Sequence, residues 1–199
     1  LLESPDFDSR DTSSLAAVGG GGAPMPPEYV GRVDKTFKRA RPGLGYGMTE
    51  TNAYGPPING DDYLKRPRST GRSVPTLQVK AFDDDMNELP AGQLGELCFF
   101  GPNLIRGYWN NAEATADTIV EGWLRSGDLG RVDEEGFVFV EDRVKDMVLR
   151  GGENIYCAEV EASIYEFDDV HEAAVFGMPH DRLGEEVACA VLPKKGRSI

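Results

Sequence analysis

The sequence predicts a mixed α/β and β chain laid out in three stretches, and three observations carry that prediction. Residues 15–37 read as a strand, a glycine loop and a helix. Residues 70–142 alternate apolar and polar with period two. From about residue 146 the order becomes strand, helix, strand, strand. In the first stretch an apolar run at 15–18 leads into Gly19, Gly20, Gly21 and Gly22. Pro27 suits the first turn of a helix, where its missing N–H costs nothing. Tyr29, Val33 and Phe37 then recur at four-residue spacing as one apolar face. "RARPGLGYG" reads as a second turn.

In the middle stretch Leu77, Val79 and Ala81 alternate with polar neighbours, and "GELCFFG" is a short strand between glycines. "LGRVDEEGFVFVED" is a hairpin turning at Asp133, Glu134, Glu135 and Gly136. One helix interrupts, "AEATADTIV", with Asn111 as its N-cap. The whole is a mainly antiparallel unit of the distorted-barrel kind. In the last stretch residues 147–149 form a strand and "RGGEN" a loop. Val160, Ile164 and Phe167 share one helical face, and "HEAAVFGMP" and "EEVACAVLP" are strands. That is a small α+β unit.

Charge and cysteines narrow the function classes. The net charge of -13 argues against nucleic acid, whose sequence-independent binding needs basic patches. A small phosphate site needs only local donors and a metal. Cys98, Cys157 and Cys189 are far apart, which suits buried, reduced thiols in the cytoplasm better than a disulfide framework. No run of 18 apolar residues is present, so no transmembrane helix is expected.

Four motifs hold candidate chemistry, each with a bland alternative. "GYGMTE" at 45–50 is a turn, or a nucleotide site in which a hydroxyl meets a phosphate and a carboxylate holds a metal. The glycine run is a linker, or a ligand loop at the carboxyl end of a strand; it is not a Walker loop. Asp128 in "GWLRSGDLG" bonds its own backbone, or accepts from a ribose diol. Arg143, Lys145, Asp146 and Arg150 lie on a surface strand with weak charge pairs, or on a hinge between unlike regions.

Taken in order, "GGGGAP", "GYGMTE", "GELCFFGPNLIRGYWNNAEAT", "GWLRSGDLG" and "DRVKDMVLRGGENIYCAEVE" resemble the signatures of the adenylate-forming superfamily. That group includes acyl- and aryl-CoA synthetases, luciferase-like enzymes and the adenylation domains of peptide synthetases. The match runs from about residue 12 almost to the end and looks most like the acyl-CoA synthetase branch. The resemblance implies a first step from carboxylic acid and ATP to acyl-adenylate and pyrophosphate, and a second in which coenzyme A displaces AMP. The alternatives are an adenylation domain that loads a carrier protein, or a nucleotide-binding module without catalysis.

The same resemblance implies roles. Gly21, Gly22, Ala23 and Pro24 would line the adenine pocket, and Tyr46 would stack on the base. Thr49 would donate to the α-phosphate and Glu50 would hold Mg2+. Asp128 would take the ribose hydroxyls, with Arg143 assisting. Lys145 would be the hinge, and Gly151 and Gly152 would approach the pantetheine arm of coenzyme A. It also implies the domains: residues 1–60 as the end of a doubly wound α/β subdomain, 61–143 as the barrel subdomain, and 144–199 as the start of the small C-terminal domain.

The departures are two lysines. The family's phosphate loop, rich in Ser, Thr and Gly and ending in lysine, has no counterpart in these 199 residues. Neither does the catalytic lysine of its small domain, and Lys194 and Lys195 lie too near "GGEN" to fill that role. The expectation is an internal piece of a longer synthetase, with apolar surface left bare and a tendency to self-associate. We predict that the chain alone shows no ATP–pyrophosphate exchange with a panel of fatty and aromatic acids; exchange above blank would overturn this.

Overall fold

A computed structural model describes residues 4, 6–22 and 25–198. It contains three sheets, one for each stretch of the sequence. The first joins β1 (Ala17–Gly21), β2 (Arg41–Gly45) and β3 (Pro57–Asn59) in that order. β1 and β2 are parallel, and α1 (Pro27–Thr36) crosses between them. Pro27 opens α1, as its fixed φ suits the first turn. Val30, Val33 and Phe37 are buried, so the apolar stripe is real, with Val30 taking the place expected of Tyr29.

The glycine loop is a correction. Gly19, Gly20 and Gly21 are strand residues paired with Gly43, Leu44 and Gly45. The reason is close approach: a Cβ at Gly19 would stand 2.6 Å from the Gly43 carbonyl oxygen. Only Gly22, at φ +82, leaves the strand in a conformation that favours glycine. Likewise the expected second turn at 39–47 is largely β2. "PGL" looked like punctuation, but partners on both sides make it a central strand.

α2 (Gly60–Lys65) carries Tyr63 into a cluster with Val30, Leu44, Ile58 and Phe137, which ties the first sheet to the second. The second sheet is a curled half-barrel with β4 (Gly71–Arg72), β5 (Gln78–Phe82), β6 (Gly95–Phe100), β8 (Trp123–Val132) and β9 (Phe137–Arg143). Its order is β4-β9-β8-β6-β5, all antiparallel, with β7 (Ile119–Val120) paired to β8. The expected alternation is met: Leu77, Val79 and Ala81 are buried, with Leu97, Phe99, Leu124 and Val138 against them. α3 (Ala112–Thr118) starts at Asn111, whose Oδ1 accepts from the Ala114 N–H at 3.0 Å. The β8–β9 turn is held by Asp133, whose Oδ1 accepts from the N–H groups of Glu135 and Phe137.

The third sheet has the order β11-β10-β13-β12. β10 (Val148–Arg150) and β11 (Glu153–Ile155) form a tight hairpin through Gly151 and Gly152, at φ +61 and +92. Positive φ at both central residues matches the strand twist and explains this glycine pair. The expected loop "RGGEN" is corrected: Arg150, Glu153 and Asn154 are strand residues, and the turn is the two glycines alone. β12 (Val170–His180) and β13 (Gly184–Pro193) complete the sheet.

α4 (Cys157–Ile164) lays Val160 and Ile164 on Val148, Val175 and Val187. Phe167 corrects the expected helical face: it lies beyond the helix end and is exposed. Cys98 and Cys157 are buried but Cys189 is exposed, which corrects the expectation of three buried thiols. Phe176, Met178 and Leu192 are also exposed. No helix among the described residues is long and apolar enough to cross a membrane.

Leu97 is completely buried at the centre of the half-barrel. Leu97→Ala removes buried methyls and leaves a cavity, so urea denaturation should show a loss of about 2–5 kcal/mol. A loss below about 1 kcal/mol would show that this core collapses onto the vacancy.

Candidate functional site

The site is built where β8 departs from regular pairing. Glu96 pairs with Leu129 and Cys98 with Arg125, so Leu97 alone lies opposite three residues, Ser126, Gly127 and Asp128. Such a bulge bends its strand and re-aims a side chain. Asp128 therefore lies within a long strand, at the open end of the β8–β9 hairpin. On the other side it pairs with Arg143 of β9.

The bulge delivers the Asp128 carboxylate to Tyr46, 82 residues away in sequence. Tyr46 follows β2, and its hydroxyl donates to Asp128 Oδ2 at 2.5 Å, the short range of a charge-assisted bond. Its ring packs against Phe99, with centroids 5.6 Å apart. Arg143 Nε stands 3.5 Å from Asp128 Oδ1 on a largely exposed side chain. Asp128 itself is 8% exposed.

Burial pushes the Asp128 carboxyl above the ordinary aspartate value. The Tyr46 hydroxyl and Arg143 oppose that shift, and Glu96 adds to it. Burial, followed by the Asp128 charge, raises the Tyr46 phenol as well, so it stays a donor at neutral pH. With Tyr46 on one oxygen and Arg143 beside the other, the carboxylate keeps lone pairs for further donors.

Thr49 and Glu50 lie in a 3-10 turn, Thr49–Thr51, directly after Tyr46, Gly47 and Met48. The Thr51 hydroxyl bonds both ways with the Met48 backbone, accepting at 3.1 Å and donating at 3.0 Å. Asn52 Nδ2 donates to the Asn103 carbonyl at 2.8 Å and Asn103 Nδ2 to the Thr51 carbonyl at 3.0 Å, which fastens this turn to the loop after β6. Thr49 is exposed and Glu50 is half-buried. Glu50 Oε1 accepts from the Tyr108 hydroxyl at 2.8 Å.

Among the described residues no three His, Cys, Asp or Glu side chains form a metal-holding group. Glu50 would thus be a lone protein ligand, which fits Mg2+, an ion that keeps waters and takes phosphate oxygens. Among the described residues, chain neighbours aside, no atom lies within 4 Å of a would-be Cβ at Gly22. Ala23 and Pro24, the other expected adenine neighbours, lie outside the described residues.

Lys145 sits in an exposed turn between β9 and β10, where the N–H groups of Asp146 and Met147 both donate to the Arg143 carbonyl. Two contacts cross this turn: Cys157 Sγ donates to the Asp146 carbonyl at 2.9 Å, and the Ala158 N–H donates to Asp142 Oδ2 at 3.4 Å. Among the described residues Lys145 makes no ion pair. Gly151 and Gly152 form the hairpin tip beyond it. Burial pushes the Cys98 thiol up to about 12, so it is no nucleophile at neutral pH.

Sequence reasoning thus named Tyr46, Asp128 and Arg143, and the fold brings them together. It missed Tyr108, which reads as one aromatic of "GYWNN", and Glu96, the polar residue of an apolar strand.

The first 109 residues match the model of the AMP-binding enzyme family. The chain belongs to that family. Residues 159–199 match the C-terminal domain of AMP-binding enzymes. A long-chain-fatty-acid–CoA ligase of Escherichia coli is 40% identical over 194 residues, covering 98% of this chain and 34% of the ligase.

Among solved structures, amide bond synthetase McbA of Marinactinospora thermotolerans superposes with a TM-score of 0.89 at 34% identity, over 100% of this chain and 40% of that one. The o-succinylbenzoate–CoA synthetase of Bacillus subtilis, in complex with ATP and magnesium, has a TM-score of 0.83 at 31% identity, over 95% and 39%. The chain spans about a third to two-fifths of the length of the curated relatives it matches. In this AMP-binding chain the fold is that of adenylate-forming enzymes, as expected.

The raised pKa of Asp128 makes a stability test. A carboxyl whose folded value is raised contributes stability that is full below the unfolded value, about 3.9, and lost as pH rises through the folded value. Asp128→Asn carries no such loss. Its melting temperature should therefore gain on that of the unaltered chain as pH rises from about 4 to 7. A gap that shrinks with rising pH would contradict burial as the dominant influence.

Proposed function

We propose that this chain forms the ribose and α-phosphate side of the nucleotide site, together with the hinge, of an ATP-dependent carboxylic acid–CoA ligase. The observation that carries the proposal is the Asp128 carboxylate, bonded by Tyr46 and flanked by Arg143, one turn of chain from Thr49 and Glu50. In the first half-reaction an acid oxygen attacks the α-phosphorus of ATP, and the bond to pyrophosphate breaks. In the second the coenzyme A thiol attacks the acyl carbon, AMP leaves, and the thiol proton passes to solvent.

Asp128 accepts from both ribose hydroxyls, with Arg143 donating beside it. The Tyr46 hydroxyl holds that carboxylate in place and its ring offers a face to adenine, beside Gly21, Gly22, Ala23 and Pro24. Thr49 donates to the α-phosphate. Glu50, oriented by Tyr108, would hold Mg2+; that ion when bound would neutralise polyphosphate charge. Lys145 lets the C-terminal unit swing between the half-reactions, and Gly151 and Gly152 pass close to pantetheine. The three domains divide at 60 and 143.

Relatives acting on a long-chain fatty acid and on o-succinylbenzoate resemble this chain comparably, so the acid is chosen outside these motifs. A fatty acid in cytoplasmic lipid metabolism is the setting we infer, supported by the CoA-ligase relatives and the free thiols. The exposed apolar residues of the third sheet support self-association. The likeness to an amide bond synthetase favours one second reading, in which an acceptor other than coenzyme A takes the acyl group.

AMP should bind the chain weakly, in about the millimolar range, or roughly -4 kcal/mol. Titration calorimetry should find that binding lost in Asp128→Ala, since charged hydrogen bonds contribute roughly 1.5–3 kcal/mol each. Lys194→Ala should leave it unchanged. Equal affinity in Asp128→Ala and the unaltered chain would leave Asp128 a structural carboxylate of the β8 bulge and overturn the ribose reading.

A further inference from the structure

The bulge that aims Asp128 needs a support of its own. Three β8 residues opposite one β6 residue leave strand N–H groups without ladder partners. The Asp128 N–H is satisfied by Ser126 Oγ at 3.0 Å. The Gly127 N–H is satisfied from across the sheet, by Glu96 Oε1 at 2.9 Å. Glu96 Oε2 meanwhile receives Arg125 Nε at 2.7 Å and a second guanidinium nitrogen at 2.6 Å. Gly127 adopts φ +73, a conformation open to glycine, and its carbonyl receives the Val144 N–H from beyond β9 at 2.9 Å.

We propose that Glu96 is a positioning residue for nucleotide binding: its carboxylate closes the β8 bulge by accepting the Gly127 N–H, and so holds the Asp128 carboxylate at the ribose. The inference rests on the ribose reading of Asp128. Glu96 is suited to this work because its own side chain is 11% exposed and its charge is matched by Arg125. Its anchor is β6, whose neighbours Leu97 and Cys98 are fully buried. Remove the carboxylate and the Gly127 N–H is left unpaired in a half-buried turn. The loop then relaxes to find water, and the next residue, Asp128, loses its aim.

Glutamine separates this role from charge and from folding, because its amide oxygen still accepts from Gly127. The experiment titrates AMP into the 199-residue chain as unaltered protein, Glu96→Ala, Glu96→Gln and Asp128→Ala, and follows hydrogen exchange of the Gly127 amide by NMR. Glu96→Ala should weaken AMP about tenfold or more and speed Gly127 exchange, while Glu96→Gln should restore both to within about threefold of the unaltered chain. Asp128→Ala should lose AMP yet keep Gly127 protected. Unchanged AMP affinity in Glu96→Ala overturns the inference, as does Glu96→Gln with an unprotected Gly127 amide. If Glu96→Ala does not fold, Glu96→Gln carries the test on the same two readouts. Equal AMP affinity in Asp128→Ala and the unaltered chain, or none in the latter, overturns the ribose reading and the inference with it; Gly127 protection then still reports whether Glu96 closes the bulge.

Discussion

Asp128 is 8% exposed in a bulge of β8, with the Tyr46 hydroxyl on one carboxylate oxygen and the Arg143 guanidinium beside the other. Taking a carboxylate out of water costs several kcal/mol unless partners replace the lost hydration. Here the partners come from two separated places: Tyr46 from the loop between β2 and β3 of the first sheet, and Arg143 from the last residue of β9 in the second. One constraint thus couples the first sheet to the second. Any displacement of β2, β8 or β9 moves a partner away from a charge that needs it.

The packing around that charge is arranged to keep those places in register. Tyr63, Phe137 and Ile58 bury the seam between the first sheet and the half-barrel. Tyr46 and Met48 rest on the cluster of Leu97, Phe99 and Leu124. The loop that carries Thr49 and Glu50 is fastened by asparagines at 52 and 103. Beyond Arg143, among the described residues, α4 is tied back by two hydrogen bonds, from Cys157 to the Asp146 carbonyl and from the Ala158 N–H to Asp142. Firm packing under the carboxylate and an exposed turn beyond it support the proposed nucleotide site and hinge.

Much of the fold was legible because its signals are local. The Asn111 cap, Pro27 in the first helical turn, the Asp133 turn and the alternation at Leu77, Val79 and Ala81 each depend on residues a few positions apart. Misreadings arose where a distant neighbour overruled local character. Gly19 became a strand residue because Gly43 leaves room for no side chain there. Phe167 left the helix face because the helix stops at Ile164. Cys189 is exposed though its residue type favours burial.

By itself the sequence determined most elements of the half-barrel and of the C-terminal unit, the net negative charge, and a set of motifs in the order of an adenylate-forming enzyme. Those properties are written in composition, in period and in short spacings. Only the tertiary structure decided that Tyr46 and Arg143 share one carboxylate, that Tyr108 holds Glu50, and that Glu96 closes a bulge two strands wide. The physical reason is that a bulge is a mismatch between two strands. Neither strand alone contains it, and the groups it leaves unpaired find partners that only the packed sheet brings near.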